Sequence, residues 1–522
     1  MAPEQSPPPS GAGGAPPSED PGEQERIRLS GGRLLGRNVL LNIVGRGATL
    51  IAAFVAVPLL IDGLGTARFG ILALAWVVIG SASVFDLGLG LALTRLTSEK
   101  LGGGREADTP GLFWTALAGL LGFGTLVALL VAGTAPLLVD HVLNVPESLR
   151  DETLTAFFLL AAGLPFLMTG AGLRGYLEAR QRADAVNAVV IPVAAITYFG
   201  PVITLQFSDS LVPAVGAIAA SRAIAFVLYM TITLRLFPLL RHRMALDRSV
   251  FSPLLRTGGW YTLWNTLNTL LLTMDRFLVG ALLSVTAVAY YATPLEISTK
   301  LWIFVWALVG VLFPAFSINL ARNPQRAATL FSAGVRITFV VLFPITLLFV
   351  AFAYQGLDLW VGEDFAQQSF RVLQWIVVGV LASSLSQVAN TLVLSARPDF
   401  SAKLALIQVP FYIGLFVALT EGYGIEGAAV AWTARIVVEA VVLFAFVGRL
   451  LPDSRRLISR AVPTAAAAAA VLALASQPDP VAVKALIVVV AGGAFALVAW
   501  LRILSAEERG LVRRRLWHPS RA

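Results

Sequence analysis

The segment FGILALAWVVIGSASVFDLGLGLAL, Phe69 to Leu93, holds one charged side chain, Asp86, in 25 residues. An α-helix needs roughly 20 apolar residues to cross about 30 Å of hydrocarbon, so this run reads as a membrane span. The chain repeats the pattern throughout. Its 522 residues are 57% hydrophobic and 13% charged, with a mean hydropathy of +0.78. Soluble domains carry about 25% charged residues. So little charge cannot clothe a surface in water, and the chain is an integral membrane protein of the all-α class.

The same criterion gives fourteen spans: about 38–61, 69–93, 112–133, 153–174, 186–206, 211–234, 257–281, 287–317, 335–354, 372–394, 403–420, 426–448, 461–476 and 481–501. The longest connections, 134–152, 235–256, 318–334 and 355–371, leave no room for a soluble domain. Lysine and arginine accumulate in cytoplasmic loops. With the N-terminus inside, 30 of the 39 Lys and Arg fall in cytoplasmic tails and loops, and only Arg68, Arg150, Arg371 and Lys484 lie opposite. Both termini are therefore expected in the cytoplasm. The net charge of +8 follows from loops held against an anionic leaflet, with no nucleic acid involved.

Residues 1–25 are rich in Pro, Gly, Ser and acid and are expected to be a disordered tail. Residues 26–37 add a short basic interfacial segment, so 1–37 forms one cytoplasmic unit. Cysteine is absent, and the three histidines, His141, His242 and His518, are far apart. Disulfides and thiol chemistry are excluded, and neither a metal site nor a cofactor is expected.

Two weak internal similarities point to duplication. Gly65-Thr66-Ala67-Arg68-Phe69-Gly70 resembles Val285-Thr286-Ala287-Val288-Ala289-Tyr290, and PAVGAIAASR, ending at Arg222, resembles EGAAVAWTAR, ending at Arg435. The expected organisation is an N-lobe of six spans at 38–234, an inter-lobe loop at 235–256, and a C-lobe of six spans at 257–448. Two appended spans at 449–502 and a basic tail at 503–522 complete the chain.

The segment 37–95 resembles the opening of bacterial polysaccharide-biosynthesis flippases of the multidrug/oligosaccharidyl-lipid/polysaccharide superfamily. The residues that carry this are Pro58-Leu59-Leu60-Ile61, Leu64-Gly65 before Phe69-Gly70, and Asp86-Leu87-Gly88-Leu89-Gly90. Met274-Asp275-Arg276, Ala289-Tyr290-Tyr291, Leu359-Trp360-Val361-Gly362 and Tyr423-Gly424-Ile425-Glu426-Gly427-Ala428-Ala429 extend the resemblance to about residue 450. It implies two lobes around a central cavity in the bacterial inner membrane. The cargo would be an undecaprenyl-diphosphate-linked oligosaccharide, moved outward by alternating access. A polymerase and glycosyltransferases would be pathway partners. No G-x-x-x-x-G-K-[ST] loop occurs, so the drive would be a proton or sodium gradient, or consumption of the product. The alternatives are a cation-coupled multidrug exporter of the same superfamily and a lipid II flippase. An enzyme is not expected, because the outer loops hold few candidate catalytic groups.

Ionisable residues at membrane depth cost roughly 2.5–3.5 kcal/mol each and face an interior or a watery cavity. Five cations and four acids lie within the spans, away from their terminal turns. Arg46, Arg222, Lys300 and Arg435 are the candidate cationic lining for a lipid diphosphate, each with an interhelical ion pair as its alternative. Arg46 and Asp86 lie at similar depth on adjacent spans, where Asp86 is either a structural partner for the arginine or a protonatable coupling site. Glu296–Lys300 and Arg435–Glu439 have the four-residue spacing of same-face helix pairs, structural or coupling. Asp275 and Arg276 are expected near the outer end of span 7, reaching the interface as a gate or packing feature. Pro294 is expected to break span 8 and free a carbonyl.

Overall fold

The computed structural model describes residues 51–82, 89–242, 244, 259–477 and 480–503. Every regular element among the described residues is helical. In the first half these are α1 (Ile51–Leu64), α2 (Thr66–Ala82), α3 (Leu89–Gly102), α4 (Thr109–Leu137), α5 (Arg150–Ala179), α6 (Ala183–Thr204) and α7 (Leu211–Leu236). The second half holds α8 (Gly259–Leu282), α9 (Val285–Thr299), α10 (Trp302–Arg322), α11 (Pro324–Ala351), α12 (Ala353–Val361), α13 (Glu363–Ala396) and α14 (Pro398–Leu450), followed by α15 (Arg455–Ala475) and α16 (Val481–Val498).

Among the described residues nine helices are long and apolar enough to cross a membrane: α4 to α7, α10, α11, α13, α14 and α16. Three shorter apolar segments, in α1, α2 and α15, accompany them. The fold is a polytopic all-α membrane protein, and the count of fourteen spans does not emerge from these helices alone. The fault lies in what hydropathy cannot see. Span 8 is two helices, α9 and α10, because Lys300 and Leu301 leave the α-helical ladder for i→i−3 bonds to Ile297 and Ser298. The loop expected over 355–371 is largely helical, formed by α12 and the start of α13. α8 carries Asn265, Asn268, Asp275 and Arg276 and falls short of the apolar criterion. Residues 83–88, with Asp86, lie outside the described residues, as does Arg46.

The 53 residues of α14 would span about 80 Å as one rod at 1.5 Å per residue. Yet Phe400 and Phe446 stack with ring centroids 3.9 Å apart. The helix therefore folds back on itself, at Gly424, where φ is 60° and ψ is −142°. Glycine meets that positive φ without the cost a Cβ would impose.

Interhelical contacts sort the connections to two ends of the bundle. At one end Arg68 at the start of α2 bonds Glu152 of α5 at 3.0 Å, and Glu152 accepts from the Ser210 hydroxyl at 2.7 Å and from the Leu211 N–H. This carboxylate thus takes up free N–H groups at the start of α7. It also gives Arg68, one of the four cations on the sparse side, a structural reason to be there. Glu152→Ala is expected to cost about 1–3 kcal/mol, read as a lower thermal midpoint in detergent. Glu99→Ala, which breaks the exposed Arg95–Glu99 pair, is expected to change it little.

The halves meet at the same end. Asn144 donates its backbone N–H to the Gly280 carbonyl and its side-chain amide to the carbonyls of Ala281 and Leu283, at the α8–α9 turn. A Cβ on Gly70 would collide with the Val285 carbonyl, so glycine is what lets α2 lie directly on α9. The two turns that resemble each other in sequence thus pack against one another. Two prolines free carbonyls for further bonds, one of them across the halves. Pro58 and Pro294 lack N–H groups, which leaves the carbonyls four residues earlier, Phe54 and Tyr290, without helical partners. Trp360 Nε1 donates to the first at 2.9 Å, and Ser369 Oγ donates to the second at 3.1 Å. Pro294 frees a carbonyl as expected, but the helix breaks at Lys300 and not at the proline.

Candidate functional site

A cavity of about 980 Å³ lies between the halves. Its walls come from α1, α2, α6, α7, α8, α9 and α10, with Trp360 of α12 and Phe349 of α11. The lining is mostly apolar, and its charged groups are Arg222, Arg276, Glu296 and Lys300. Among the described residues, three cations against one acid make the lining cationic. At membrane depth, with apolar walls, such charge is weakly screened and attracts anions strongly.

Arg222 projects from the middle of α7. Small residues precede it (Ala217, Ala219, Ala220 and Ser221), and they let α7 approach α5 and α6 closely, so that a Cβ on Gly163 would meet Ala219 in ordinary contact. Its Nη2 donates to Thr197 Oγ1 at 2.9 Å, while Nε is buried without a partner. Among the described residues it forms no salt bridge. That leaves donors of a planar fork suited to bidentate phosphate contact.

Glu296 and Lys300 pair directly, as their spacing implied. Both remain about one-third exposed, facing the cavity beside the α9–α10 break. A lysine in this position can exchange its carboxylate for a stronger anion without being dragged from its helix.

Asp275 and Arg276 differ from expectation. Neither is found reaching for an interface. Asp275 is 0% exposed, and its carboxylate accepts from the Tyr291 hydroxyl at 2.8 Å and from the Arg276 N–H at 2.8 Å. Arg276 lines the cavity and donates to the Leu272 carbonyl at 3.3 Å. The reason is that α8 packs Asp275 against α9, where the Tyr291 hydroxyl satisfies it.

Arg435 lies outside the cavity lining. It is 2% exposed, bonded to Glu439 at 3.2 Å and to Gln408 Oε1 at 3.1 Å, with its guanidinium 5.1 Å from the Tyr412 ring centroid. Its charge is met within α14, across the two halves that Gly424 joins. The structure therefore brings together Arg222, Lys300, Glu296 and Arg276, and separates Arg435 and Glu439 from them.

Sequence reasoning missed the aromatic part of the wall. Trp76 of α2 and Tyr198 of α6 line the cavity with ring centroids 5.5 Å apart. Nothing local distinguishes them from other aromatics in apolar helices; only the packing of α2 beside α6 places them there. The rim is different again. Ile51, Phe54 and Phe304 line the cavity yet are 67%, 53% and 52% exposed, so α1 and α10 give it an open apolar rim.

The family model described as polysaccharide biosynthesis protein matches residues 35–320. A Shigella flexneri protein named for O-antigen transport is 23% identical over 416 residues, covering 78% of this chain and 96% of its own. Among solved structures, an inward-facing multidrug resistance MATE transporter of the MOP superfamily aligns with a TM-score of 0.68 at 13% identity, over 79% of this chain and 96% of its own. The lipid II flippase MurJ, in an inward closed conformation, aligns at 0.67 and 11% identity, over 91% of this chain and 99% of its own. At these identities the structural likenesses establish the fold.

Proposed function

We propose a function for a chain that belongs to the polysaccharide biosynthesis protein family: it is a flippase for lipid-linked glycan. The cargo is an undecaprenyl-diphosphate-linked oligosaccharide, carried from the cytoplasmic to the outer leaflet of the bacterial inner membrane for O-antigen, capsule or exopolysaccharide. The observation that carries this reading is the cavity itself. Among the described residues it combines three cations and one acid with an open apolar rim. A diphosphate suits Arg222, Arg276 and Lys300, and an isoprenoid tail suits the Ile51, Phe54 and Phe304 flank.

The cargo then enters from the cytoplasmic side, with Glu296 released from Lys300 as phosphate takes its place. The end tied by Gly70–Val285, Asn144 and Trp360–Phe54 is the outer one. The two lobes, 38–234 and 257–448, rock about the cavity so that this tie opens and the opposite end closes. Both termini lie in the cytoplasm. A proton or sodium gradient, or capture of the product by a polymerase, drives the cycle, and glycosyltransferases supply the cargo. The protein carries out no bond chemistry on it.

Reconstituted in proteoliposomes, the wild-type protein is expected to move a fluorescent undecaprenyl-diphosphate oligosaccharide between leaflets. No movement, together with expulsion of a cationic dye against a proton gradient, would replace this reading with a drug exporter. Movement of lipid II alone would replace it with a lipid II flippase. The cationic chamber disfavours the dye.

A further inference from the structure

The cavity presents three chemically different surfaces: cations, an apolar rim and an aromatic wall. Of these, only the aromatic wall has been given no task. Phe69 braces Trp76 edge-on, with centroids 5.9 Å apart and ring planes at 81°. Tyr198 packs against the same indole at 5.5 Å and 52°. The indole is thus held in one orientation while remaining partly exposed. The cavity also has phenyl rings at Phe54, Phe304 and Phe349, but those have no polar edge.

Trp76 and Tyr198 do, and the indole N–H of Trp76 has no acceptor among the described residues. A buried donor left unmet is costly, and a small shift of the indole toward the cavity would let an acceptor on a ligand relieve it. Their position is equally specific. Tyr198 follows Thr197, the residue that receives the Arg222 guanidinium, so the aromatic wall adjoins the cation that lacks a carboxylate. An isoprenoid tail gains nothing from an N–H or a phenol. A pyranose ring, with an apolar C–H face and a hydroxyl edge, uses both parts of an amphipathic ring.

We propose that Trp76 and Tyr198 form a sugar subsite that holds the pyranose ring attached to the diphosphate, while Arg222 holds the adjacent phosphate. This rests on the flippase reading above and adds a recognition element for the glycan itself.

The test compares binding of two probes to detergent-solubilised full-length protein: undecaprenyl diphosphate without sugar, and the same lipid bearing one hexose. Wild type is expected to bind the glycosylated lipid roughly tenfold more tightly. Trp76→Leu and Tyr198→Leu, on separate helices, are each expected to erase most of that difference while leaving sugar-free binding unchanged, and Trp76→Phe to restore part of it. Equal weakening of both probes would make the pair merely structural and overturn the subsite. So would an unchanged preference in both leucine variants, with the flippase reading intact. If wild type binds neither lipid, the flippase reading falls first and the subsite with it.

Discussion

Arg222→Ala is expected to cut flipping of an undecaprenyl-diphosphate oligosaccharide by roughly ten- to hundredfold while leaving the protein as stable as wild type. The size follows from the loss of hydrogen bonds between a guanidinium and a phosphate, about 1.5–3 kcal/mol. The stability half of the statement follows from geometry. Among the described residues Arg222 forms no salt bridge and donates only to Thr197, so its removal strands no carboxylate there. A structural arginine would behave in the opposite way, costing stability when deleted. Arg222→Lys keeps the charge but loses the planar fork and is expected to fall between the two. Flipping rates in proteoliposomes, with thermal unfolding of the same preparations, check this. An alanine variant that flips at the wild-type rate, or that unfolds at much lower temperature, would remove Arg222 from the binding role.

Asp275→Ala is expected to destabilise the protein by about 3–5 kcal/mol, the usual cost of removing one member of a buried charged group. Its carboxylate is 0% exposed, and deletion leaves the Tyr291 hydroxyl without its acceptor. Asp275→Asn keeps an acceptor of the same shape and is expected to recover part of the loss. The readout is the thermal midpoint in detergent with the fraction of monodisperse protein. If the alanine variant melts with wild type, Asp275 is not holding α8 to α9 and its burial must serve something else.

Much of the architecture was legible because a membrane constrains it heavily. Within hydrocarbon backbone polar groups must be met within the protein, most simply by a continuous helix, so length and apolarity alone locate the spans from α4 to α7. Local pairs were legible for a similar reason: Glu296–Lys300 and Arg435–Glu439 are each set by one helical turn. Family membership was readable from short motifs such as Leu64-Gly65 and Phe69-Gly70, and the structure gives one of them a cause, since Gly70 lies where any side chain would strike Val285.

What the chain alone could not decide depends on which helices become neighbours. Four residues apart, Arg435 and Glu439 form a pair in any helix, but only the return of α14 at Gly424 brings Gln408 alongside and takes Arg435 away from the cavity. Adjacent in sequence, Asp275 and Arg276 point about 100° apart around α8, so one is sealed against Tyr291 and the other lines the chamber. The tertiary structure also joins Trp76 of α2 to Tyr198 of α6, more than a hundred residues away. The sequence by itself determined a membrane-spanning helical protein with a cationic interior. Helix packing, which sets each side chain's depth, neighbours and exposure, decided which of those cations remain free to meet a ligand.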